Sequence, residues 1–342
     1  GVPSATARPV QFLENAQNHA RSGGGQFGHY AEIEALDGSF VSRQFPADSN
    51  GNLYRPSGNG NLEYLGEDAF PYQAPGFYRK GTNEEVNDWS DLIELTRRIE
   101  QSSDAQFVAS LDSVADIDRW VSYFAVDALL ANTETSFANG GAGDYALYTT
   151  ERDRKAYLIA YDLDSLWVPN VDALTLPLFR AAGNSVANRF LKHPEIARRY
   201  HRRLRELAMT VFDPVTLGFN LDQALGGWVS ESEIERLKGF AFDRREFVLG
   251  ASQVPFRIDF NRPFAEPAWL RYFLETSDSL ALTGTVDSLL TDALLVNGVL
   301  ANLEPWTGRW SVSGVPLHSG VNQITVQALV EGQLEELQIF NV

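Results

Sequence analysis

The stretch Asn132–Trp167, NTETSFANGGAGDYALYTTERDRKAYLIAYDLDSLW, decides how the rest of the chain is read. A glycine-rich loop leads into a strand at Tyr145–Thr149. A charged turn, Glu151–Lys155, then leads into a second strand at Ala156–Tyr161. Alternating apolar residues on either side of such a turn are the pattern of a hairpin. The second strand runs out into Asp162-Leu163-Asp164, and Asp144 stands at the start of the first. In an antiparallel pair the start of one strand lies beside the end of the other. Asp144, Asp162 and Asp164 are therefore expected to converge. Carboxylates gathered without a cation nearby in sequence suit a hard divalent ion, Mg²⁺, Mn²⁺ or Ca²⁺. The alternative is that they are ordinary turn and strand-end aspartates.

The chain of 342 residues has room for one large domain and a small one. Its hydrophobic fraction of 44% supports a packed core. A net charge of −17 argues against general nucleic-acid binding, which needs a basic footprint. The absence of cysteine excludes disulfides, thiolate metal sites and a cysteine nucleophile. No apolar run reaches the length that spans a membrane. Gly1-Val2-Pro3 is neither an initiator methionine nor a signal peptide, so the chain reads as a processed or excised product.

Upstream, Val10–Leu13 and Phe27–Ile33 read as strands, joined by a flexible Asn15–Gly25 connector. Ala35–Phe45 reads as a short helix. Asp48–Asn52 reads as a turn, since its spacing misses the calcium-loop pattern. Helices follow: one capped by Asn87 or Asp88, a short one opening at Ser103-Asp104, and a longer one starting at Asp116. Residues 168–185 read as irregular. A helix over 186–211, broken near His193-Pro194, carries Arg198, Arg199, Arg202, Arg203 and Arg205. These arginines read as a solvated face or as a dock for phosphate or an acidic partner. Asp213-Pro214 is expected to end that helix, with further helices at Glu231–Phe240 and Asp243–Leu249. A boundary near Val254 precedes repeated short strands from Leu280 onward, the pattern of a small, immunoglobulin-like β-sandwich.

The five histidines are scattered, and neither a nucleophile elbow nor a phosphate-binding P-loop motif occurs. Carboxylate chemistry remains. It means metal-assisted phosphoryl transfer or paired-carboxylate glycoside hydrolysis. The second needs aromatic platforms, for which Trp89, Trp120, Trp167 and Tyr145 are the candidates.

The motifs DWSDLIELTRRI, DIDRWVSYFAVDALLANTET, GDYALY and YLIAYDLDSLW together resemble the spore-coat CotH kinase family of atypical secreted protein kinases. Upstream, Gly28-His29-Tyr30, Glu34, Asp37 and Gly51-Asn52-Leu53-Tyr54-Arg55 also resemble its pattern. The resemblance covers about residues 5–250. It implies an α+β, kinase-like module with a helical C-terminal half over residues 1–253, N-terminally incomplete. A linker and β-sandwich domain over 254–342 would follow.

The resemblance further implies ATP and a divalent metal as cofactors, with a serine or threonine of an acceptor protein at the cell surface as substrate. Asp162 falls at the family's metal-binding aspartate, with Asp164 in support. Asp144 stands where the family has asparagine, and Glu134 stands where it has the catalytic aspartate. Arg55 is the one cation on offer for the phosphates. The alternative reading is a non-catalytic adhesion or surface-assembly module of a secreted bacterial protein, with a structural Ca²⁺.

Overall fold

The computed structural model describes residues 1–11, 13–15, 17–18, 29–134, 136–168, 171–180, 183–251, 254–260, 273–288, 290–330 and 332–342. They divide into two units, Gly1–Gly250 and Ala251–Val342, each with its own apolar core.

The first unit opens with β1 (Ala7–Gln11), β2 (Leu13–Glu14), β3 (Gln17–Asn18) and β4 (His29–Ile33). β1 and β4 form an antiparallel ribbon with Val10 opposite Tyr30. β2 and β3 form a shorter one, so the start of the expected connector is strand. The rest of that connector, with Phe27 and Gly28, lies outside the described residues. Next comes α1 (Gly38–Gln44), capped by Asp37, whose Oδ1 accepts from the N–H groups of Ser39 and Phe40.

The elements that follow are β5 (Asn52–Pro56), α2 (Phe70–Gln73), β6 (Tyr78–Lys80), α3 (Ser90–Gln101), α4 (Phe107–Asp112), α5 (Ile117–Leu130), β7 (Tyr145–Thr149) and β8 (Ala156–Ala160). The antiparallel sheet β6-β5-β7-β8 contains the expected hairpin, in register from Tyr145↔Ala160 to Thr149↔Ala156. Every residue of β7 is buried. Tyr145 and Leu147 join the large core with α3 and α5, while Ala146 and Tyr148 pack with Phe40, Val41 and Phe45. A strand covered on both faces is apolar almost throughout rather than alternating.

At the start of α5 the Asp116 carboxylate accepts from Arg119 N, and Trp120 Nε1 donates to Ala156 O at 3.0 Å. The helix is thereby pinned under β8. It ends at Ala131, in the left-handed conformation (φ 51°, ψ 45°), which turns the chain into the Asn132 loop. Trp89, Trp120, Trp167 and Tyr145 are all buried, so the sugar platforms they were candidates for are core instead.

Several boundaries differ from the sequence reading. The residue before α3 is Trp89; the Asp88 carboxylate reaches Ser90 N, and Asn87 takes a positive φ. A short helix, α6 (Val171–Leu174), interrupts the segment read as irregular. The expected break near His193-Pro194 is present: α7 (Ser185–Lys192) gives way to α8 (Pro194–Met209) at His193, because proline at the first turn of α8 cannot continue α7. Asp213 starts α9 (Pro214–Leu225) rather than closing α8, since its carboxylate accepts from Val215 N and Thr216 N. Glu231–Ala251 is a single helix, α10; nothing at Ala241-Phe242 breaks it. On α8, Arg199 pairs with Asp118 and Glu195, and Arg203 pairs with Glu206. These pairs fit the solvated-face reading.

The second unit contains β9 (Arg257–Ile258), β10 (Ser279–Thr285), β11 (Ala293–Val296), β12 (Val299–Leu300), β13 (Asn302–Glu304), β14 (Arg309–Pro316), β15 (Gln323–Val330) and β16 (Gln333–Asn341). They form the antiparallel sheets β13-β14-β10-β9 and β12-β11-β15-β16. Leu280, Leu282 and Val312 of one sheet share a core with Leu294, Val296, Ile324 and Val326 of the other, as in a β-sandwich. Asn297 and Gly298, both at positive φ, make the two-residue turn between β11 and β12.

Candidate active site

The loop leaving α5 is built around a buried hydrogen-bond network. Asn132 is fully buried; its Nδ2 donates to Asp127 Oδ1 at 3.0 Å, and its Oδ1 accepts from Glu134 N at 3.0 Å. Asp127 lies one helical turn back on α5. Its Oδ2 pairs with Arg180 Nη2 at 3.0 Å, and both side chains are largely buried. Arg180 Nη1 also donates to Asn132 O at 2.5 Å. Thr133 ties the loop to the far side of the site, since its N and Oγ1 both donate to Ser165 O. Glu134 is thus held between the end of α5 and the residues after Asp164. The buried Asn132 and Asp127 side chains both find partners, as burial demands.

Glu134 Oε2 is the exception. It is shielded from solvent and meets no hydrogen-bond partner among the described residues. The Glu134 carboxyl is pushed above the ordinary range, first by hydrogen bonding with the Asp164 carboxyl, with hydrogen bonding to Ser165 opposing, and then by desolvation and by the charges of Asp164 and Asp162, so the unpartnered character is confined to Oε2. Asp144 is pushed up to about 6, by desolvation first and then by Glu134, Asp162 and Asp164. The four acids therefore sit within reach of one another's charge. Asp144 and Asp162 both take φ of 55°, in the left-handed region that glycine, asparagine and aspartate adopt most readily.

The register Tyr145↔Ala160 puts Asp144 and Asp162 at the same end of the β7–β8 hairpin, as expected. Convergence is looser than the sequence reading required. Among the described residues no three His, Cys, Asp or Glu side chains are grouped so as to hold a metal ion. A Ca²⁺ ion takes six to eight oxygens, backbone carbonyls and waters among them. A Mg²⁺ ion needs only one or two carboxylates when phosphates and waters complete its shell. An all-oxygen donor set, unrelieved negative charge and an orphaned carboxylate oxygen fit an ion of that second kind.

Beside these acids lies a cavity of about 570 Å³. Ala5, Ala7, Ala31, Ile33, Leu36 and Ala160 give it an apolar wall; Asp162, Asp164 and Arg55 line it as well. The apolar wall comes partly from the β1–β4 ribbon, a contribution invisible in the sequence. Arg55 projects from β5, its guanidinium 5.6 Å from the centre of the Tyr161 ring and Nη2 3.5 Å from its hydroxyl. It has no carboxylate partner among the described residues. Glu34 also lines the cavity, but Arg43 and the Thr6 amide engage it, and Arg43 holds its carboxyl down to about 2. Sequence reasoning missed Asp127 and Arg180. A lone acid inside the apolar run of α5 was the available signal for the first; Arg180, in a segment without pattern, gave none.

A model of the family described as CotH kinase protein matches residues 1–223 of the 342. The matched span takes in the hairpin, the Asn132 loop, Arg55 and Arg180. No curated protein matches the chain significantly.

Proposed function

The chain belongs to the CotH kinase family, and from that premise we propose that its first unit transfers the γ-phosphoryl group of ATP to a serine or threonine hydroxyl of a surface or coat protein. The observation that supports this reading best is the unpartnered Glu134 Oε2, set among Asp144, Asp162 and Asp164. A carboxylate oxygen without a donor is poised to take a proton.

In the proposed reaction the acceptor oxygen forms a bond to the γ-phosphorus, and the bond from that phosphorus to the β,γ-bridging oxygen breaks to release ADP. The hydroxyl proton passes to Glu134 Oε2. Asp162 and Asp144 or Asp164 would hold the divalent ion, which would supply charge neutralisation at the phosphates. Arg55 lines the same cavity, has no carboxylate partner among the described residues, and would pair with a phosphate oxygen. The apolar wall excludes water from the flat base. Neighbouring acids raise the affinity of Glu134 for a proton, the direction a general base needs.

A non-catalytic surface-assembly role is favoured by the two departures from the family pattern, Glu134 and Asp144. The longer Glu134 side chain moves the carboxylate by roughly 1 Å, enough to cost orders of magnitude in rate unless the loop compensates. Calorimetric titration of ATP with Mg²⁺ or Mn²⁺ separates the readings. Metal-dependent binding that disappears in Asp162→Ala is expected; an intact chain that fails to bind nucleotide sinks the kinase reading.

A further inference from the structure

We infer that Arg180 is a positioning residue, which sets the Glu134 loop by clamping Asp127 and Asn132 together. The inference deepens the kinase reading and rests on it for its catalytic consequence, though its structural half stands alone. Arg180 makes two contacts with different parts of the loop. Nη2 is 3.0 Å from Asp127 Oδ2, and Nη1 donates to Asn132 O at 2.5 Å. The remaining Asp127 oxygen takes Asn132 Nδ2 at 3.0 Å and Ser136 Oγ at 3.4 Å. Asn132 in turn takes the amide of Glu134. One guanidinium thus fixes both the backbone and, through Asp127, the side chain of the residue that orients Glu134. Its flat fork does this in a way a point charge cannot.

A second set of contacts joins the same two segments. Asn184 Nδ2 donates to Gly141 O at 2.8 Å, and Gly140 approaches Arg180 O and Gly183 so closely that a Cβ would lie 3.0 Å or less from their backbone atoms. Arg180, Gly183 and Asn184 therefore lie against the return of the loop at Gly140 and Gly141. Arg180 stands 16 positions after Asp164 in sequence, so the chain that supplies the acids also supplies the clamp. No substrate or phosphate contact is assigned to Arg180. Its reach is into the protein, and its effect on chemistry runs through Glu134.

The test compares the intact chain with Arg180→Lys and with the charge-neutral pair Arg180→Met plus Asp127→Asn. The pair keeps the fold by leaving no charge buried alone. Amide exchange at Glu134, read by NMR, should quicken by about tenfold or more in both. Phosphoryl transfer to an acceptor should fall about 100-fold in kcat, with Arg180→Lys recovering part of the loss. The Kd for Mg²⁺–ATP, held by other residues, should change less than about threefold. Unchanged exchange at Glu134 in the neutral pair overturns the inference. So does an equal loss of nucleotide binding, which would mark Arg180 as a general support of the fold. An intact chain without transferase activity would remove the kinase reading, and the exchange result would then decide the clamp alone.

Discussion

Asp144 holds its backbone at φ 55° and its carboxyl at about 6, and both features follow from where the chain puts it. The unfolded aspartate gives up its proton near pH 4. Between pH 4 and about 6 the folded chain binds more protons than the unfolded one. Stability therefore falls as pH rises through that window, and the loss is complete above it. Discounted for solvent screening, the loss is about 1–2 kcal/mol. Asp144→Asn should accordingly raise stability by about 1 kcal/mol at pH 7.5 and leave it unchanged at pH 4. Denaturant titrations at the two pH values check this, and a gain of equal size at both would contradict it. Mg²⁺ binds the deprotonated carboxylates, so it should raise the melting temperature at pH 7.5 more than at pH 5. At the neighbouring acid, Glu134→Gln should leave Mg²⁺–ATP affinity within a few-fold while cutting transfer at least 100-fold, as measured by phosphate incorporation.

Among the elements, the hairpin was the part most legible in sequence. Tyr145–Thr149 needed only its apolar residues and the charged turn after it, because a strand's period and its bounds are local properties. Asp116 opening α5 and the His193-Pro194 break were equally local. Asp213-Pro214 was misread because the dipeptide serves both as a stop for one helix and as cap plus first turn for the next. The expected gap between Phe240 and Asp243 contains no helix-breaking residue, and α10 runs straight through it. The candidate site followed the same rule. Asp162 and Asp164 announced themselves at a strand end, whereas Arg180 joins Asp127 across 53 positions of chain. Asn184 belongs to this hidden group. It caps α7 through Val186 N and Ala187 N and also bonds Gly141 O. Asn184→Ala should destabilise the unit by about 2 kcal/mol, the sum of a lost cap and a lost buried bond. Differential scanning calorimetry should show a drop of about 4–8 °C in the transition of the larger unit. A shift below 1 °C would mean that the loop closes without it.

The molecule as a whole joins two units with separate cores, and only the first carries the acids, the cavity and Arg55. The net charge of −17 works against compaction at low salt, so salt should stabilise both units in some measure. A ligand that binds one unit acts differently: it stabilises that unit by mass action and leaves the other alone. Mg²⁺–ATP at 100 times its Kd adds about 2.7 kcal/mol, which moves a unit of roughly 250 residues by about 5–10 °C. The expectation is a calorimetric trace in which one transition climbs by that amount with Mg²⁺–ATP while the sandwich transition stays within 1 °C. Sodium chloride at matched ionic strength is the control. Equal upward shifts of both transitions would reduce the effect to charge screening and remove the case for a nucleotide site. A shift confined to the larger unit, and lost in Asp162→Ala, places the binding energy in the β7–β8 hairpin where the acids gather.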